Sequence, residues 1–85
     1  MRRISFLSRA FDDFVRWSDE NKKVHAKIAE LIRDIHRHPF AGIGKPEPLK
    51  NNYKGLWARR ITQEHRLVYE VRDEEIIIVQ CRLHY

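Results

Sequence analysis

The chain has 85 residues, of which 42% are hydrophobic and 34% are charged, so we expect residues 1–85 to form one small domain. This composition excludes a disordered acidic tail, and the single cysteine, Cys81, excludes a disulfide framework and a Cys/His zinc cluster. A net charge of +5 favours an anionic partner, although it is also compatible with a plain solubilising surface. The longest apolar run, Ile76–Val79, is too short for a signal peptide or a membrane span, which predicts a cytoplasmic protein.

Two consecutive helices are predicted after a short first strand, Arg3–Leu7. Ser8 is a suitable N-cap for the first helix, and Asn21 begins a longer second helix. The second helix carries one continuous apolar stripe, formed by Val24, Ile28, Leu31, Ile32 and Ile35. It ends at His38-Pro39, because the residue before a proline is disfavoured in helical conformation.

The next stretch, residues 39–55, is irregular and contains all three prolines and all three glycines. A loop of this length in so small a chain is usually functional or disordered. Glu47 lies between Pro46 and Pro48, which restrict the backbone on both sides and favour a fixed conformation. Residues 44–66 contain six Lys or Arg against two Glu, which makes this segment the most basic part of the chain.

Three strands are predicted in the second half of the chain: Leu56–Thr62, His65–Arg72 and Glu75–His84. With the first strand they give an antiparallel sheet of about four strands, with the two helices packed on one face. This architecture is an α+β fold.

The alternation of the last two strands predicts which side chains enter the core. We expect Leu67, Tyr69 and Val71 to share the covered face with the odd-numbered residues of the last strand, Ile77, Val79, Cys81 and Leu83. This register requires a connection with an odd number of residues and argues against a two-residue turn. It places Arg66 on the open face together with Arg82 and His84.

The open face would then carry the groups that phosphodiester cleavage needs. Transesterification of RNA requires a base for the 2′-hydroxyl proton, a cation for the developing charge and an acid for the leaving 5′-oxygen, and it requires no metal or cofactor. Glu47 is the candidate base, Arg66 the phosphate clamp and His84 the acid. Other basic residues that are candidates for phosphate contacts are Lys45, Lys50, Lys54, Arg59 and Arg60.

Each of these assignments has an alternative that the residues alone leave open. A glutamate such as Glu47 in a lysine-rich loop is more often a solvated ion-pair partner than a catalytic base. Arg66 is equally explained as a partner of Glu70 or Glu64, and His84 as a residue of a disordered tail.

Several contiguous motifs resemble the YoeB branch of the RelE-type toxins over nearly the whole chain. They are DDFVRW, the GKPEPLK loop, the RRITQEHRLVY hairpin and the CRLHY ending. The resemblance implies a RelE-like, microbial-ribonuclease-like fold and a bacterial toxin that cuts mRNA in the ribosomal A site. It also implies a general-base role for Glu47, a transition-state role for Arg66 and a general-acid role for His84. Lys50 and Arg60 match further active-site cations, and Tyr85 matches an aromatic beside the site.

The same resemblance implies the partners of the protein. They are a YefM-like antitoxin with a largely disordered segment, the ribosome and its mRNA, a second copy of the toxin, and operator DNA contacted through the antitoxin. A membrane is not among them. The rival hypothesis is a non-catalytic module that binds ribosomal RNA or DNA through the basic loop, and a degenerate toxin kept for regulation is a third.

Overall fold

The computed structural model describes residues 1–84, and Tyr85 lies outside the described residues. In chain order the elements are β1 (Arg3–Phe6), α1 (Ser8–Glu20), α2 (Lys22–Arg37), β2 (Glu47–Pro48), a 3₁₀ helix (Asn51–Tyr53), β3 (Trp57–Arg60), β4 (His65–Val71) and β5 (Glu75–His84). Both helices pack on one face of the sheet, and their apolar stripes form the core with β4 and β5. The predicted α+β architecture is therefore confirmed.

The sheet differs from the prediction in strand number and in direction. It has five strands in the order β1-β5-β4-β3-β2, because the Glu47–Pro48 segment pairs with β3. The pairing of β1 with β5 is parallel, so the sheet is mixed rather than wholly antiparallel. The reason is topological. Helices α1 and α2 carry the chain from β1 at one edge of the sheet to β2 at the other edge, and the antiparallel strands β2 to β5 then return to β1.

The helix boundaries follow local chemistry, with one correction. The Asn21 side chain caps α2 by accepting hydrogen bonds from the backbone N–H groups of Lys23 and Val24, both at 3.2 Å. As expected, α2 ends at Arg37. The prediction that Ser8 caps α1 is wrong, because Ser8 is already helical and Leu7 occupies the cap position without a side-chain hydrogen bond.

The β4–β5 hairpin corrects the predicted register. Arg72 N–H donates to Glu75 O at 2.9 Å, so the connection is the two-residue turn that the alternation argument had rejected. Beyond the turn, Tyr69 lies opposite Ile78, and two register shifts then insert two extra residues into β5.

The bulges in β5 change which of its side chains face the helices. Ile76 and Ile78 are fully buried in the core, and Cys81 joins them only because the register has shifted. The predicted core residues Ile77, Val79 and Leu83 are instead partly exposed. Alternation within β5 is therefore interrupted between its two halves.

Helix α1 covers the edge of β5 that β1 leaves open. The pairing with β1 ends at Ile78, and side chains of α1 then satisfy the strand backbone. Asp13 accepts from Cys81 N–H at 3.0 Å, and the indole N–H of Trp17 donates to Cys81 O at 2.9 Å. These bonds replace the missing neighbour strand and fix the second half of β5 against the helix.

Candidate functional site

Three of the predicted site residues share the face of the sheet that points away from the helices. Leu67 and Tyr69 pack in the core, so alternation turns Arg66 to the opposite face. Arg60 is the cross-strand partner of Arg66, and Glu47 is the partner of Ala58 two residues earlier in β3. From strand spacing, the Cα atoms of Glu47 and Arg66 lie about 12 Å apart, which their long side chains can bridge through one phosphate group.

Arg66 is held by the turn that precedes its own strand. Its side chain is only 4% exposed, and Nη1 donates to the carbonyl oxygens of Thr62 at 3.0 Å, His65 at 3.2 Å and Gln63 at 3.3 Å. The guanidinium is therefore oriented before any substrate arrives, which is the condition for efficient stabilisation of developing charge.

Glu47 opens onto a cavity that the sequence did not indicate. The cavity has a volume of about 410 Å³ and is lined by Glu47, Pro48, Leu49, Lys50, Asn51 and Tyr53. Lys50 is exposed, and Glu47 is half-buried at the edge strand β2. Tyr53 was assigned no role from the sequence. The one signal that could have indicated a binding role is its position between Lys50 and Lys54 in a lysine-rich loop.

His84 does not share the face of Arg66, and that prediction is wrong. Its cross-strand partner is His65, which packs edge-on against Trp17 of α1 at 5.1 Å between ring centroids. Arg82 also lies on the helix side, with its guanidinium carbon 3.8 Å from the centroid of the Trp17 ring. The residue opposite Arg66 is instead Leu83.

The His84 imidazole lies at the rim where β4 begins and β5 ends. Its side chain is 73% exposed, with Nε2 3.6 Å from a Glu64 carboxylate oxygen. The ring centroid lies 5.9 Å from that of His65. The imidazole is thus accessible to solvent, and it lies at the end of the sheet beside the open face rather than on it.

Arg59 is a structural residue, and its predicted role as a phosphate contact is wrong. Its side chain is fully buried and pairs with Asp34 of α2 at 2.5 Å. Its remaining donors bond the Tyr69 hydroxyl and three loop carbonyls, those of His38, Ala41 and Ile43. Hydrogen bonding from Arg59 is the main cause that lowers the pKa of Asp34, and burial raises the pKa of Tyr69. This network, the Arg59 cluster, fixes the loop that leads into Glu47.

Two further properties of residues 1–84 concern metal binding and membrane spans. No group of three or more His, Cys, Asp or Glu side chains in this range is arranged to hold a metal ion. Neither described helix is long and apolar enough to cross a membrane. The remaining predicted site residue, Tyr85, lies outside the described residues.

Curated relatives match the chain over almost its full length. It is 49% identical over 83 residues to Toxin YoeB of Escherichia coli strain K12, a match that covers 98% of this chain and 99% of the relative. It is 51% identical over 83 residues to Toxin YoeB of Streptomyces coelicolor, with the same coverage.

Solved structures agree in fold as well as in sequence. A YoeB/ParE toxin from Agrobacterium tumefaciens superposes with a TM-score of 0.93 at 44% identity, covering 98% of this chain and 99% of that one. A YoeB dimer from Staphylococcus aureus gives 0.91 at 46% identity, covering 99% and 98%. A YoeB–YefM complex from the same organism gives 0.89 at 46% identity, covering 100% and 99%. The model of the family described as "YoeB-like toxin of bacterial type II toxin-antitoxin system" matches residues 6–85, and the chain belongs to this family.

Proposed function

We propose that this toxin is a ribosome-dependent endoribonuclease that cleaves mRNA in the A site and so stops translation. The observation that carries the proposal is the common face of Glu47, Arg60 and Arg66, which places one carboxylate and two guanidinium groups on the same side of three neighbouring strands. The basic excess of residues 44–66 supports it, because an mRNA backbone is attracted by such a segment.

In the proposed reaction Glu47 takes the proton of the 2′-hydroxyl as that oxygen attacks the adjacent phosphorus. Arg66 stabilises the extra negative charge of the phosphorane, and Lys50 and Arg60 bind the neighbouring phosphate oxygens. His84 protonates the departing 5′-oxygen, which leaves a 2′,3′-cyclic phosphate. Each proton transfer contributes roughly 10²–10⁴-fold to the rate. Tyr85 is proposed to contact the substrate beside the acid.

The acid step requires the imidazole to turn from the rim towards the open face. Its 73% exposure leaves space for that rotation, which would give up the contacts with Glu64 and His65. Arg66, by contrast, is already oriented, because three carbonyl oxygens hold its guanidinium.

The test is cleavage of mRNA on programmed ribosomes, read by toeprinting, with Glu47→Ala and His84→Gln tested separately. Each variant should lose at least about 100-fold in cleavage rate. His38→Gln, which changes an exposed histidine that contacts Arg59 through its backbone carbonyl, is the matched control and should cleave like the wild type. Wild-type rates in both site variants would refute the assigned roles.

A second candidate is a non-catalytic module that binds ribosomal RNA, and one observation favours it. His84 lies opposite His65 on the helix side, so the acid and the base do not share one face in this structure. A binding module would stall ribosomes without producing a new mRNA 5′ end, whereas a nuclease leaves a cut inside the A-site codon. The same toeprinting experiment therefore separates the two functions.

We further propose that the toxin is neutralised by a YefM-like antitoxin, as in the complex of the Staphylococcus aureus relative. A flexible acidic segment of the antitoxin would fit the basic open face, since it covers a large area while it orders on binding. The complex would bind operator DNA through the antitoxin, and all of these events would take place in the cytoplasm. A small acidic protein that co-purifies with the chain and abolishes mRNA cleavage is the expected result.

The proposed homodimer has a suitable surface on α1 and its cap residue, Leu7. Leu7, Phe11 and Val15 are exposed apolar side chains at four-residue intervals, so they form one stripe. If two copies pack these helices antiparallel about a two-fold axis, Phe11 meets Phe11 and Leu7 faces Val15. A Staphylococcus aureus relative is a dimer, which makes a second copy the favoured occupant of the stripe.

Sedimentation equilibrium tests this dimer directly. Phe11→Glu should convert the protein to a monomer, because it buries a charge at the proposed axis. Phe40→Glu, which alters another exposed aromatic residue far from α1 in sequence, should leave the dimer intact. A dimer that persists in Phe11→Glu would exclude the stripe as the interface.

A further inference from the structure

The geometry points to Tyr53 as a stacking platform for the nucleobase of the nucleotide whose 2′-hydroxyl attacks the phosphorus. This inference rests on the proposed ribonuclease function and adds to it a residue that binds the base. It concerns the cavity that Tyr53 shares with Glu47 and Lys50.

The cavity has the size and the chemistry of a nucleotide site. Its volume of about 410 Å³ lies within the roughly 300–1,000 Å³ of small-ligand sites. Its walls combine a carboxylate, an ammonium group and an aromatic ring, which correspond to the ribose hydroxyl, the phosphate and the base of one nucleotide. With the ribose at Glu47 and the phosphate at Lys50, Tyr53 is the one lining residue that offers the base an aromatic ring.

A short, well-bonded turn holds Tyr53 in place. Its N–H donates to Lys50 O at 3.1 Å, and its carbonyl oxygen accepts from Leu56 N–H at 3.0 Å. Asn51 adopts a left-handed conformation with φ of 58°, which closes the turn and starts the 3₁₀ helix. The backbone of Tyr53 is therefore fixed to Lys50 through its N–H group and to Leu56 through its carbonyl oxygen.

The ring itself is 42% exposed, so a large part of its surface is available to a ligand. Phe40 is also exposed, but it packs on Trp57 at 5.0 Å between ring centroids and does not line this cavity. Unstacked bases of single-stranded RNA commonly stack on such exposed aromatic rings. Because every base has a flat aromatic face, this stacking contact would bind the nucleotide without selecting a particular base.

The experiment is single-turnover cleavage of mRNA on programmed ribosomes over a range of toxin concentrations. Tyr53→Ala should raise the half-saturating concentration by about 5-fold or more, with the rate at saturation changed less than about 2-fold. Tyr53→Phe and Tyr53→Trp should behave like the wild type, because both keep a flat ring. Phe40→Ala, which removes another exposed aromatic ring that lies outside this cavity, is the matched control.

A second substrate distinguishes stacking from a purely structural role. On an mRNA that lacks the base of the nucleotide 5′ to the cut, Tyr53→Ala and the wild type should have equal half-saturating concentrations. If Tyr53→Ala does not fold, Tyr53→Leu provides the same comparison with a bulky side chain that has no ring.

The possible failures are distinguishable. Wild-type protein that cuts no mRNA would refute the proposed function itself. Cleavage by the wild type with an unchanged Tyr53→Ala, or a defect that persists on the abasic mRNA, would overturn the stacking inference alone.

Discussion

Replacing Arg59 by methionine should destabilise the protein severely, although this arginine lies in the most basic part of the sequence. The side chain is fully buried and donates five hydrogen bonds, one of them to the Asp34 carboxylate. Removing one partner of such a pair costs about 3–5 kcal/mol, because the other charge stays partly buried without its counterion. The total stability expected for 85 residues is roughly 4–13 kcal/mol, so the loss is a large fraction of it.

Arg60 provides the matched control, since it is the next residue in the same strand and is exposed. Arg60→Met should change the free energy of unfolding by no more than about 0.5 kcal/mol. Urea unfolding followed by far-UV circular dichroism measures both variants. A loss below about 1 kcal/mol for Arg59→Met, or equal losses at the two positions, would refute the role given to the Arg59 cluster.

The ion pair between Asp34 and Arg59 makes the free energy of unfolding depend on pH, so that the protein loses stability in acid. Asp34→Asn keeps the shape but loses the charge, which should cost about 1.5–3 kcal/mol near neutral pH. Because the pKa of Asp34 is lowered in the folded protein, this contribution is complete above the ordinary Asp value of about 3.9 and is lost as the pH falls through the folded pKa. The difference between wild type and Asp34→Asn should therefore shrink below about pH 4, and a constant difference would contradict the assignment.

Three other changes test separate features of the fold. Gly42→Ala should destabilise far more than Gly55→Ala in thermal unfolding. Both glycines have positive φ, but a Cβ at Gly42 would collide with an Asp34 carboxylate oxygen, whereas the space at Gly55 is open. Asp13→Ala should cost about 1–3 kcal/mol in urea unfolding, and Asp13→Asn much less, because only the alanine leaves the N–H of Cys81 without an acceptor. Burial raises the pKa of the Cys81 thiol to about 12, so iodoacetamide at pH 8 should modify it only in urea-unfolded protein, which mass spectrometry detects.

The sequence predicts the helices well because their signals are local. Asn21 caps α2 with its own side chain, Pro39 follows its end, and the buried stripe has helical spacing. The face of β5 was predicted wrongly because its signal is ambiguous. Four consecutive apolar residues, Ile76–Val79, satisfy either register, and only pairing with β4 and α1 determines where the bulges lie. Those partners are distant in the chain, so no local pattern contains the answer.

The same reasoning explains why the candidate site was predicted only in part. Arg59 and Arg60 are identical in type, and their burial differs because alternation directs one towards Asp34, 25 residues away, and the other to the open face.

The two residues are nevertheless linked in function. Arg60 N–H donates to Gly44 O at 2.7 Å, while Arg59 bonds the carbonyl groups just before Gly44. The structural arginine and the candidate phosphate-binding arginine thus fix one loop from two sides, and that loop determines where Glu47 enters the sheet.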